Sequence, residues 1–77
     1  MAMSALARKA AFVSQVILGE KTMDSAANEV CGVTWYHLSE GIAGRRVLSD
    51  EVKQKFSAYI GRPVEEVFGD PANDAAA

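Results

Sequence analysis

An all-α fold, a compact bundle of about five short helices, is what this sequence predicts, and three observations carry that expectation. Apolar side chains recur every three to four positions along most of the chain. Each apolar stretch is bracketed by a residue able to cap a helix start and a glycine able to end it. No alternating run suggests a strand, and there is no internal repeat or linker. At 77 residues, one domain over residues 1–70 is expected, with 71–77 as a frayed tail.

The first helix is predicted over residues 4–18, with Ser4 as its cap and Gly19 as its stop. Leu6, Ala10, Val13, Val16 and Ile17 form its expected buried stripe, widened by Phe12 and Leu18. Thr22 caps a second helix through Cys31, with Asp24 favourable in its first turn. Met23, Ala26, Ala27, Val30 and Cys31 form its inner side, and Gly32 supplies the positive φ of a sharp turn. Thr34 caps a third helix from Trp35 to about Ile42, anchored by Val33, Leu38 and Ile42 and closed by Gly44. Ser49 caps a fourth, Asp50 to Ile60, in which Leu48, Val52, Phe56, Tyr59 and Ile60 make the buried stripe. Gly61 ends it, and Pro63, at a first helical position, opens a last short helix from Val64 to Phe68, stopped by Gly69.

Composition narrows the chemistry. The single cysteine, Cys31, excludes an intramolecular disulfide and a cysteine-based zinc site, and is expected as a small buried hydrophobe. Folding without disulfides fits a cytoplasmic protein, and neither a secretory layout nor the ~20 apolar residues of a membrane span is apparent. There is no glycine-rich phosphate loop, nucleophile motif or paired-acid site, and His37, the one histidine, lacks neighbours at metal-ligand spacing. The expectation is a non-enzymatic chain with no metal and no cofactor. Net charge is −2, unevenly spread: residues 1–46 hold five cations and four acids, residues 47–77 three and six. Any nucleic-acid affinity must then come from a few placed cations rather than a broad positive field.

The stretch from Ser25 to Arg46 stands out, because a short helix, a glycine turn and a second short helix form the pair that fits a DNA major groove. Leu38 stands six residues after Gly32, and Gly44-Arg45-Arg46 begins twelve after it. Farther on, Ala58 to Asp70 reads AYIGRPVEEVFGD, a short acidic helix and a phenylalanine following a glycine. In this order and spacing, residues 4–70 resemble the helix-turn-helix domain of phage repressors and Cro proteins, the lambda-repressor-like or xenobiotic-response-element family. Two positions depart from the family pattern. Asn28 stands four before the turn glycine, where alanine is usual, and Gly41 stands where an aliphatic residue is common.

The resemblance implies a small transcriptional regulator that binds double-stranded DNA as a homodimer on a pseudo-palindromic operator. It puts base contacts on Thr34, Trp35, Tyr36 and Ser39, with packing on the domain body or a protein interface as the alternative for the two aromatics. Lys21, His37, Arg45 and Arg46 are the candidate phosphate contacts. Tyr59, Val64, Val67 and Phe68 form the candidate dimer patch, or else complete the core. The alternative function is an interaction protein on the same scaffold, either a phage-type inhibitor of a host protein or an antitoxin-type regulator. The acidic balance and the Trp35-Tyr36 pair favour it.

Overall fold

The computed structural model describes residues 2–69, and the tail expected at 71–77 lies outside them. Among the described residues the fold is all-α. Helix α1 spans Ala5–Leu18, α2 Met23–Ala26, α3 Trp35–Ile42, α4 Asp50–Ile60 and α5 Val64–Phe68. Helix α2 runs on without a break into a π-type segment, Ala27–Cys31. Ser4, Thr22, Thr34 and Ser49 each cap a helix by accepting a backbone N–H three residues on. Pro63 differs from expectation. It is the cap residue itself, with extended backbone at ψ 151°, and Val64 opens the helix.

Phe12, 0% exposed, is the centre of the core. Its ring stacks on Trp35 at 5.7 Å and on Phe56 at 5.4 Å, and Tyr59 tilts against it. Phe68 closes on Phe56 from the α5 side. Ala26, Ala27, Cys31, Leu38, Ile42, Leu48, Val52, Ile60 and Val67 fill the rest. The stripe expected to bury α1 is therefore displaced. Phe12 and Val16 face inward, while Leu6 and Ile17 stay largely exposed. The largest ring on the helix sets its rotation, and the smaller aliphatics on the adjacent face follow it outward.

Arg8, one turn before Phe12, works on this inward side. Its Nε and Nη2 donate to the Ile42 carbonyl, and its Nη1 donates to the Met3 and Val67 carbonyls. The guanidinium thereby ties α1 to the last residues of α3 and α5, and it also lies 5.4 Å from the centre of the Phe68 ring. The sequence holds one hint of this role, an arginine on the same side of the helix as Phe12. Among the described residues no helix is long and apolar enough to cross a membrane.

Candidate nucleic-acid interface

The joint between α2 and α3 starts with the departure at Asn28. The Gly32 N–H reaches the Ala27 carbonyl as well as that of Asn28, an i→i+5 turn wider than an α-helix. Widening the last turn carries Asn28 out to solvent and keeps Ala26 and Ala27, both 0% exposed, against the core. The small residue needed where the helices cross is Ala27, five positions before the glycine. Gly32 then takes φ 69°, a left-handed conformation that turns the chain at no steric cost. Thr34 follows in extended conformation, its Oγ1 accepting the His37 N–H at 3.1 Å.

Helix α3 is anchored by Leu38, Gly41 and Ile42. Gly41 answers the second departure. A Cβ built there would lie 2.3 Å from Leu48 Cδ2, so the missing side chain is the room that Leu48, 3% exposed, occupies. The aliphatic group that fills this layer comes from the loop before α4 rather than from α3.

The outward side of α3 is narrower than the sequence suggested. Tyr36 projects, 68% exposed. Trp35 does not. Its indole lies flat on Phe12, half-buried, which supports the packing alternative over base contact. Trp35 precedes Leu38 by three and Ile42 by seven, so it belongs to their side of the helix. Ser39 is half-buried, its Oγ donating to the Tyr36 carbonyl at 3.3 Å. It borders an open cleft that Ala5, Leu6 and Lys9 of α1 share with Ile42, Ala43 and Arg45.

Every cation expected to contact phosphate already holds a partner. Arg45 Nε donates to Glu40 Oε2 at 2.6 Å, and this carboxylate, with nearby Tyr36, strengthens the guanidinium's hold on its proton. Arg46 Nη1 lies 3.0 Å from His37 Nδ1. Because a guanidinium can only donate, that contact requires a neutral imidazole with its proton on Nε2. Lys21 Nζ donates to Glu29 Oε2 at 2.6 Å. That hydrogen bond and charge pairing raise the Lys21 ammonium above its ordinary value and lower the Glu29 carboxyl below its own. The pair therefore stays ionised at neutral pH, and its contribution fades only as pH falls through the lowered carboxyl value or rises through the raised ammonium value. Glu40 is the residue that sequence reasoning undervalued, standing one turn after Tyr36 beside Arg45.

Of the two roles expected for the C-terminal patch, dimer contact or completion of the core, the packing supports the second. Val67 is 0% exposed, Phe68 is partly buried against Phe56, and Tyr59 is partly buried against Phe12. These three complete the core, with half-buried Val64 beside them. Cys31 is buried, and desolvation pushes its thiol above the ordinary range, which keeps it protonated and unreactive. Comparison with protein-family models, with characterised proteins and with solved structures yields no match.

Proposed function

We propose that this chain is a small sequence-specific DNA-binding regulator of the Cro and phage-repressor kind, acting in the cytoplasm as a homodimer. The observation that carries this reading is the α2–α3 pair. Two helices are joined through Gly32, Val33 and Thr34, and the second is held to the core on one side and open to solvent on the other. In helix-turn-helix units such a joint precedes a helix that keeps one side on the core and offers the other to the major groove. Tyr36 and Thr34, both exposed, with half-buried Ser39, would be the side chains to meet base edges, the hydroxyls suiting base donors and acceptors and the ring a thymine methyl. Lys21, Arg45 and Arg46, with His37 beside Arg46, would exchange their present partners for phosphates.

Selection from random duplexes by the purified protein tests the reading. An enriched two-fold motif is expected. Binding should also weaken steeply with salt, and Arg46→Ala should flatten that slope by about one unit for each phosphate it no longer neutralises. Absence of any enriched sequence at low salt would sink the DNA assignment.

One observation favours the second reading, an interaction protein that inhibits a partner. Glu40 and Glu29 sit beside the very cations that DNA would need, which suits a polar protein surface better than a polyanion. Capture of a protein partner through Tyr36, insensitive to salt, would support it.

A further inference from the structure

The three cations proposed for phosphate have holders of two kinds. Lys21 and Arg45 are held by carboxylates, those of Glu29 and Glu40. Arg46 is held by an imidazole, that of His37. An ionised carboxylate only accepts, whereas histidine changes charge between about pH 5 and 8. On taking up a proton its ring carries two N–H donors and has no acceptor left.

The local fold builds this contact. His37 lies in the first turn of α3, its backbone N–H donating to the Thr34 cap at 3.1 Å. Gly44, at φ 84°, turns the chain after the helix, and Arg46 reaches back until its Nη1 lies 3.0 Å from His37 Nδ1. The other charged groups nearby are engaged elsewhere. Glu40, one turn farther along α3, holds Arg45. Arg8 of α1 is bound on the Ile42 carbonyl at the far end of α3, and Lys9 lines the cleft beside Ile42 and Arg45. Lys21 holds Glu29, and Asp24 stands in the first turn of α2. Among the described residues no carboxylate pairs with His37, and Arg46 is the charged group that meets its ring.

We propose that His37 is a proton-dependent catch on Arg46: the neutral imidazole holds the guanidinium against α3, and the imidazolium releases it to a DNA phosphate. That release rests on the DNA-binding reading and adds regulation to it, whereas the catch itself is tested without DNA. One proton enters at Nδ1 as the Arg46 N–H leaves it. Arg46 stays a cation throughout, so ring and guanidinium then face each other as two donors and repel. Neutral His37 competes with phosphate for Arg46, and charged His37 sides with phosphate. Binding that takes up a proton tightens as pH falls.

The test uses the full chain and a random-sequence duplex at low salt, because phosphate contacts carry no sequence information. Wild type is expected to bind several-fold tighter at pH 6 than at pH 8. His37→Ala should bind about two- to five-fold tighter than wild type at pH 8, the range that an exposed contact can supply, and should lose that advantage at pH 6. In a chain that already carries Arg46→Ala, the same substitution should bring no gain. Equal or weaker binding by His37→Ala at pH 8 overturns the proposal, as does a gain that survives the loss of Arg46. Nitrogen NMR of the DNA-free chain at pH 8 should show a bare, hydrogen-bonded Nδ1 on His37, whose signal moves in Arg46→Ala. A proton on Nδ1, or identical imidazole signals in the two chains, overturns the catch. Should no duplex bind, the DNA reading and the release fall together, and the spectra decide whether the catch stands without them.

Discussion

The chain uses one kind of joint twice, to opposite ends. Gly32-Val33-Thr34 and Gly61-Arg62-Pro63 each place a left-handed glycine, φ 69° and 75°, after one helix and an extended residue, ψ 157° and 151°, before the next. The first joint delivers eight residues and the second five. Helix α3 is long enough to bury Leu38, Gly41 and Ile42 and still expose Tyr36. Helix α5 manages little more than one turn, and its apolar members Val67 and Phe68 are used in packing. Local turn geometry therefore does not decide what a helix is for. The number of turns left after anchoring does.

Both delivered helices hang on the same aromatic cluster. Phe56 touches Phe68 of α5 directly and reaches Trp35 of α3 through Phe12. Phe56→Ala is expected to cost ~3–5 kcal/mol, most of the stability of a domain this small. A denaturant titration measures it, and a loss below about 1 kcal/mol would break the claim that the two helices share one support.

The next effect belongs to α3 alone. Gly41→Ala drives a methyl into Leu48, which is 3% exposed and must shift to admit it, and should cost about 1–3 kcal/mol despite alanine's better helix propensity. Combining it with Leu48→Ala should relieve the clash, leaving the double variant less destabilised than the sum of the singles. Strict additivity in that cycle would remove Leu48 as the reason for the glycine. By contrast, Gly32→Ala and Gly61→Ala should lose similar amounts, about 1–2 kcal/mol each, since nothing lies within 4 Å of either added Cβ and only backbone strain remains. A marked difference between them would mean that the joints are not equivalent.

The helix boundaries were legible because caps and stops are local: Ser4, Thr22, Thr34, Ser49 and the following glycines act within three or four residues. Rotation of a helix is not local. Two apolar faces compete on α1, and only contact with Trp35, Phe56 and Tyr59 decides that Phe12 faces inward and Leu6 does not. Trp35 was readable in principle from its spacing to Leu38 and Ile42, but adjacency to Tyr36 suggested a shared aromatic surface. Neither the π-type turn at Ala27–Cys31 nor the need for a bare backbone at Gly41 has a signature in residue type alone. Each answers a packing demand set by another element, the core beneath α2 in one case and Leu48 in the other.

The smallest effect separates the two readings of the exposed side of α3. Glu40 neutralises Arg45 beside Tyr36, as Glu66 of α5 neutralises Arg62, but only the first pair stands next to an exposed aromatic side chain. Glu40→Gln keeps the size and shape of the side chain while freeing the guanidinium. If phosphate is the ligand, DNA affinity should rise several-fold at low salt, and the advantage should shrink as salt screens the exposed charge. Thermal stability should hardly move, because ion pairs of this exposure contribute little. A fall in DNA affinity confined to sites with one particular base would instead identify the carboxylate as a reader of cytosine. Unchanged DNA binding, with loss of a protein partner, would assign Glu40 and Tyr36 to the second reading.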